Sequence, residues 1–353
     1  MFRTVLIGLG NVAERIHLPA LKQHPVFQVV GACEPDAARR ERVAREWSIP
    51  HVYATSEELF AAVPADVVVI GSPPQNHEDH CLQSLRAGAH VFCEKPFVEE
   101  PAAAERVLAA AEQAQRLVVV NNQYRYMAMY REPGRRLHAG EFGRAFLIQG
   151  WQQMFHPPSK ETNWRAHLIK STLFEFGTHA LDLMCFLFED TPEAITVEMP
   201  HPRADIAADV VVAVLLRFPG ERVATMVLNR ISHAPERYFE MRVDAANASL
   251  RLSLGGVARA SLDWSKALGR PMSRVSFVKG GEARVEARGR STVIAREKQM
   301  AFASATATHL GEFAARLDAG DLDQHALRHQ AALIRVVEAG YLSAERGETV
   351  RLR

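Results

Sequence analysis

Across residues 1–122, short apolar runs alternate with stretches of helical periodicity, and the first junction between them is Gly8-Leu9-Gly10-Asn11-Val12-Ala13. The runs at 5–7, 27–33, 67–70, 90–93 and 117–120 are rich in β-branched residues and almost unbroken in apolar character, with a short one near 51–53. Strands that read this way are covered on both faces. Helical patterns fill the gaps at 37–47, 57–62, 77–87 and 102–115. Pro101 suits the first turn of the last of these, and Thr55 or Ser56 can cap the helix that begins with Glu57 and Glu58. Alternation of this kind builds an open parallel sheet with right-handed crossovers. Ligands then bind beyond the carboxyl ends of its strands.

After Tyr124 the texture changes. Longer strand patterns run over 146–155, 209–218 and 223–231, and Pro219-Gly220-Glu221 fits a hairpin turn between the last two. The series continues at 238–244, 249–254 and 258–264, with extensions at 274–278 and 283–287. One helix over 173–188 interrupts it, and two more near 299–319 and 325–346 follow. The expected fold is α/β: a doubly wound Rossmann sheet in a domain over 1–122, then an α+β domain over 123–353 with a mainly antiparallel open sheet. A chain of 353 residues exceeds one typical core, which agrees with two domains.

A formal charge of +1 with 15 dispersed histidines leaves no basic tract to grip a phosphate backbone, so nucleic acid is not an expected partner. Cys33, Cys81, Cys93 and Cys185 lack CxxC spacing and sit among apolar residues, as free thiols of a reducing compartment do. Residues 1–7 read as a strand rather than a signal peptide, and no apolar run reaches membrane-spanning length. The expected location is the cytoplasm.

The glycine turn carries the first functional reading. Gly8 allows a tight turn after the first strand, and Gly10 lets the backbone approach a pyrophosphate. The helix opening at Asn11 and Val12 supplies unpaired N–H groups and a positive dipole end. Ala13 stands where the fingerprint tolerates alanine. Glu34 ends the second strand 21 positions later, where a carboxylate accepts hydrogen bonds from an adenosine ribose. That carboxylate repels a 2′-phosphate and argues for NAD. Arg39 and Arg40 keep NADP open, unless they only line a solvated helix face. The loop Ser72-Pro73-Pro74-Gln75-Asn76-His77 follows the fourth strand and faces the same crevice, with Asn76 alternatively a helix cap.

Two clusters carry chemistry. Glu94-Lys95-Pro96 closes the fifth strand and places an ammonium at the crevice, where it stabilises negative charge developing on an alcohol oxygen. Partial desolvation brings a lysine towards proton exchange near neutrality. The second cluster is Glu175-Phe176-Gly177-Thr178-His179-Ala180-Leu181-Asp182. On a helix Glu175 and His179 share a face, roughly 5–6 Å apart at Cβ. Asp182 falls near enough to orient the ring. A histidine with carboxylate neighbours is suited to taking and returning a proton. A core histidine held by a structural carboxylate is the competing reading. One histidine with two carboxylates is thin for a metal site, and none is expected.

With these residues placed, the chain resembles the glucose-fructose oxidoreductase / inositol dehydrogenase / rhizopine-catabolism (Gfo/Idh/MocA) family. The matching features are the Gly8/Gly10 turn, His17-Leu18-Pro19-Ala20-Leu21, the 73–77 loop, Ala87-Gly88-Ala89-His90-Val91, Glu94-Lys95-Pro96, Tyr124-Arg125-Tyr126, Trp164-Arg165 and the 177–182 segment. The resemblance implies that Lys95 and His179 act at the substrate, with Glu175 beside them where the family places an aspartate. It implies cofactor contacts from Gly8, Gly10, Asn11, Val12 and Glu34, from Ser72, Pro73, Asn76 and His77, and from Glu94, Lys95 and Gln123. It implies substrate contacts from Lys95, Tyr124, Arg125, Trp164, Arg165, Glu175 and His179, although Trp164 and Arg165 equally suit packing. One departure stands out: Ile169-Lys170-Ser171-Thr172 replaces the family's glycine-rich run and reshapes the pocket.

The expected activity is NAD(P)-dependent hydride transfer between nicotinamide and a carbinol carbon of a sugar, cyclitol or related polyol. Two alternatives stand beside it: an enzyme that retains NAD and oxidises transiently to allow hydrolysis or elimination, and a non-catalytic binding regulator. A sheet with one face free of helices points to a homodimer or homotetramer.

Overall fold

The computed structural model describes residues 1–158, 161, 164–233, 238–255, 257–265, 269–278, 280–297 and 301–352. It divides into two compact units, each assembled from two stretches of chain: 1–126 with 302–339, and 127–301 with 340–353.

In the first unit, strands β1 (Phe2–Ile7), β2 (Phe27–Cys33), β3 (Val52–Tyr53), β4 (Val67–Ile70), β5 (His90–Cys93) and β6 (Val118–Val120) form a parallel sheet of order β3-β2-β1-β4-β5-β6. This is the doubly wound arrangement, with its switch point between β1 and β4. Alternate strand residues feed two separate cores. Val5, Ile7, Val68, Ile70, Val91 and Cys93 belong to one core, and Leu6, Ala32, Val67, Val69, Phe92 and Val119 to the other. Both faces are buried, which is why the strands read as unbroken apolar runs.

The connecting helices are α1 (residues 11–21, π-helical over Ala13–His17), α2 (Ala37–Trp47), α3 (Ser56–Ala62), α4 (His77–Arg86) and α5 (Pro101–Ala114). Thr55 caps α3 by accepting from Glu58 N, and Pro101 opens α5. The boundary expected near 122 assigned both later helices to the second domain. The first unit instead takes back residues 302–339, because each of those helices has an apolar stripe that completes one sheet face. Leu310 and Phe313 of one join the core around Phe27 and Phe92. Leu327, Ala331 and Ile334 of the other join the opposite core.

The second unit holds a nine-stranded mixed sheet, antiparallel at every pairing except one. It contains β7 (Ala145–Gln153), β8 (Ala194–Glu198), β9 (Val211–Phe218), β10 (Arg222–Asn229), β11 (Tyr238–Ala245), β12 (Ser249–Leu254), β15 (Gly281–Ala287), β16 (Arg290–Glu297) and β17 (Val350–Arg351). The exception is β7 with β10, which run parallel. The expected hairpin joins β9 to β10 through 219–221. A separate ribbon pairs β13 (Val257–Ser265) with β14 (Arg270–Val278). Burial alternates along β9 and β11, so one face of the large sheet is packed and the other is open.

The helices of this unit are α6 (Ala128–His138) and α7 (Thr178–Phe188), the latter entered through a π-helical turn over Thr172–Gly177. The remaining helices, α8 (Ala301–Asp318) and α9 (His325–Arg346), are those that complete the first unit's cores.

Candidate functional site

The glycine turn is built as a cradle. Gly8 adopts φ +87°, and a Cβ there would stand 2.9 Å from Ser72 N, so no side chain fits between the ends of β1 and β4. A Cβ on Gly10 would meet nothing within 4 Å, which leaves the turn open above the first N–H groups of α1. Glu34 leans against this turn. Its Oε2 accepts from Leu9 N at 2.9 Å, and its Oε1 accepts from Asp36 N at 3.1 Å and from Arg39 Nη1 at 3.3 Å. Arg39 therefore reaches the acidic position and does more than line a solvated face. Arg40 binds the backbone there, donating from Nη1 to Glu34 O at 2.6 Å.

The loop after β4 divides into two kinds of residue. Asn76 stands exposed at the N-cap of α4 and makes no capping hydrogen bond. Pro73 is half-buried, and Ser72 pairs its hydroxyl with His80 Nδ1 at 2.9 Å. His77, expected among the cofactor contacts, is fully buried. Its Nδ1 lies 2.9 Å from Pro96 O and from Phe97 O, and its Nε2 lies 2.8 Å from Ser72 O. The ring staples the loop to the segment following Lys95. Burial holds its pKa below the usual imidazole range although the three carbonyls favour the charged form.

Lys95 is half-buried, follows β5 and precedes Pro96 through a cis peptide. Its backbone N–H donates to Glu94 Oε2 at 3.1 Å. Glu94 is 5% exposed and turns towards the protein, with Oε1 accepting from Asn121 Nδ2 at 2.7 Å. Gln123 is buried as well, and its Oε1 finds no hydrogen-bond partner among the described residues. An orphaned buried acceptor just past β6, at the carboxyl end of the parallel sheet that also carries the glycine turn, fits a dinucleotide carrying donors. Tyr124 and Arg125 were expected at the substrate. Tyr124 is 2% exposed and stacks on Phe302 at 5.6 Å, while Arg125 Nη2 lies 2.9 Å from His329 Nε2. Both join the helices that close this unit.

In the second unit, His179 is buried in the first turn of α7 and Asp182 is buried one turn on. Glu175 lies in the π-helical turn at 2% exposure, and both its oxygens accept from Arg165 Nε, at 2.8 and 3.1 Å. The straight helical ladder assumed for Glu175 and His179 is thus replaced by π geometry with a wider turn. Arg165 also covers the Trp164 ring at 4.3 Å. The segment replacing the family's glycines has its own anchor. Asp209 accepts from Ser171 N, and its second oxygen takes Leu173 N at 2.8 Å and the Tyr341 hydroxyl at 3.3 Å. Burial raises the Asp209 pKa against these bonds. Arg230, which no sequence pattern singled out, is 1% exposed. It donates from Nε to His156 O at 2.9 Å, pairs with Glu161 at 3.2 Å and bonds Ser171 Oγ.

Among the described residues no group of three His, Cys, Asp or Glu is placed to hold a metal ion, and no helix is long and apolar enough to cross a membrane.

A glycine turn ending β1 and an acid ending β2 on a doubly wound sheet are the arrangement of a dinucleotide-binding protein, and Lys95 follows β5 at the same end of that sheet. Comparison with known families agrees. Residues 2–122 match the oxidoreductase family with an NAD-binding Rossmann fold, and residues 130–251 match the GFO/IDH/MocA C-terminal domain. The chain belongs to the Gfo/Idh/MocA family.

Among its relatives, D-apiose dehydrogenase of Paraburkholderia graminis is 26% identical over 259 residues, covering 71% of this chain and 68% of that protein. Inositol 2-dehydrogenase 4 of Saccharopolyspora erythraea is 29% identical over 57% of this chain and 58% of its own length. Several other curated relatives are matched over little more than half their length. A levoglucosan dehydrogenase in complex with NADH and levoglucosan superposes with a TM-score of 0.79 at 16% identity, covering 99% of this chain and 98% of that one. That likeness is one of fold.

Proposed function

We propose that this protein is a dehydrogenase that oxidises, or in reverse forms, a secondary alcohol of a sugar, cyclitol or related polyol. The observation that carries the reading is Lys95 at the end of β5 in the same sheet that holds the Gly8–Gly10 cradle at the end of β1. The strand order sets them two strands apart, roughly 10 Å at the usual spacing. Bound NAD supplies a two-electron acceptor at its nicotinamide ring. The chain supplies the rest. Gly8 and Gly10 admit the pyrophosphate, and Glu34 accepts ribose hydroxyls, which favours NAD over its 2′-phosphate. The Lys95 ammonium stabilises charge on the alcohol oxygen, and His179 takes or returns its proton. Glu175 holds Arg165 in this arrangement, and the pair orients polar groups of the substrate. Relatives named for apiose and inositol support a polyhydroxylated substrate.

The test is a panel of pentoses, hexoses, anhydrosugars and cyclitols assayed with NAD and with NADP. NADH formation with one compound class, at higher kcat/KM than with NADP, is the expected result. Product without net NADH would favour transient oxidation, and tight NAD binding with no turnover would favour a binding regulator.

The reading includes a homo-oligomer formed through the open face of the large sheet. Trp151 and Val227 are paired neighbours on that face at 36% and 41% exposure. Sedimentation should show a dimer or tetramer, and Val227→Lys should shift it towards monomer.

A further inference from the structure

Lys95 is held by more than its own strand. On the reading that Lys95 acts at the substrate, we infer that a buried relay from α8 through Asn121 and Glu94 positions it and keeps it charged.

Glu94 is the hub. Its two oxygens face three donors from three parts of the first unit. Asn121 Nδ2 stands at 2.7 Å, Lys95 N at 3.1 Å, and His17 Nε2 at 3.1 Å, the last off the line of an ideal hydrogen bond. An ionised carboxylate accepts at every position and donates at none. A glutamine of the same shape would turn an NH₂ group towards one of those donors. Burying this charge costs several kcal/mol, and an apolar side chain would fill the space at less cost. Its presence is explained if the charge serves its neighbour. Burial pushes the Glu94 pKa up, but His17, Asn121 and the Lys95 charge outweigh it and the net shift is downward. His77 is the other titratable ring within electrostatic reach of Glu94.

Asn121 is the link to the far side. The residue is fully buried, and its amide is fixed from both ends. Nδ2 donates to Thr306 Oγ1 at 3.0 Å as well as to Glu94, while Oδ1 lies 3.3 Å from His309 Nδ1. Thr306 and His309 lie on one side of α8, one turn apart. The His309 ring stacks on Tyr126 at 4.1 Å and tilts against Phe92 at 4.9 Å. A helix whose Thr306 lies 185 residues further along the chain thus sets the amide that sets the carboxylate that holds the Lys95 N–H. Glu94, Asn121, Thr306 and His309 are positioning residues, since none of them needs to touch a substrate.

The relay makes a prediction that folding alone does not. The apo protein is exposed briefly to acetic anhydride, and acetylation of Lys95 is measured by mass spectrometry relative to the exposed Lys22. Glu94→Gln should raise the relative labelling of Lys95 by about threefold or more, because without the neighbouring carboxylate more of the amine is uncharged. The double variant Glu94→Gln with Asn121→Asp exchanges donor for acceptor and returns a carboxylate to the pair. Labelling should fall back towards wild type. Thr306→Val, which removes only the hydroxyl, should raise it in the same direction as Glu94→Gln. Unchanged labelling in Glu94→Gln, or no recovery in the double variant, overturns the relay. If Glu94→Gln does not fold, unchanged labelling in Thr306→Val overturns it alone. Lys95→Met assayed on the best panel substrate tests the underlying reading separately: full turnover there removes the role of Lys95 whatever the labelling shows.

Discussion

His77 shows how a residue can sit in a functional motif and serve the fold. Its place after Ser72-Pro73-Pro74 made it a cofactor contact by resemblance, yet its ring is buried with backbone carbonyls close to both nitrogens. Replacing it with alanine removes the ring's one N–H from the carbonyls it faces and opens a cavity, so His77→Ala should cost about 2–4 kcal/mol by denaturant unfolding. A loss under half a kcal/mol would mean that the ring is dispensable. The tight turn at Gly8 and the place of Glu34 against it, by contrast, were legible from spacing, because a tight turn and an acid at the end of the next strand constrain residue type directly. Gln123 and His17 entered only through the resemblance, and Asn121 was not singled out at all. Their significance lies in partners far away in the chain, and no local pattern records a buried amide that is missing a donor.

At the scale of elements, strands covered on both faces and helices with clear caps were recovered, while three kinds of element were not. Helix α6 contains Pro133 and Gly134, which read as breakers. A Cβ on Gly134 would come within 2.4 Å of Phe186, so the glycine is there to let that ring approach. The segment entering α7 is π-helical, a geometry without a distinct sequence period. Strand β8 is only five residues long, and β16 is polar or charged at most of its positions, so neither signals itself.

The assignment of α8 to the first unit was equally hidden, because an apolar stripe says that a helix packs but not on what. The structure gives it a physical measure. Phe313 is 1% exposed, with Phe27 at 6.3 Å and Phe92 at 5.7 Å between ring centroids. Phe313→Ala should destabilise the protein by about 3–5 kcal/mol. The loss should also weaken NAD binding, since α8 closes the sheet that carries the cradle. Equal loss of stability with unchanged NAD affinity would separate the helix from the site.

For the molecule as a whole, the surface ion pairs contribute little individually, and the buried carboxylates decide the response to acid. Glu94 has a folded pKa below its unfolded value. Its contribution is present above the ordinary glutamate range and is lost as pH falls through the folded value. Asp209 works in the opposite sense, since its raised pKa makes protonation on acidification a relief. Melting temperature measured from about pH 5 down to about pH 2 should therefore fall less steeply in Glu94→Gln than in wild type. An identical slope would mean that Glu94 is not ionised in the fold.

A doubly wound sheet and a mainly antiparallel sheet were legible at this scale from the change of texture after residue 124. The discontinuity of both units was not, because it depends on which surface the last two helices cover.

The account stands or falls on hydride transfer at Lys95. The most direct measurement uses the best panel substrate carrying deuterium on its carbinol carbon, with NAD and either wild-type protein or Lys95→Met. The account predicts deuterium at C4 of the nicotinamide with wild type. It predicts the loss of that transfer by about a hundredfold or more in Lys95→Met, with the dissociation constant for NAD little changed. Product that leaves the nicotinamide unlabelled, or full-rate transfer in the Lys95→Met variant, would contradict it.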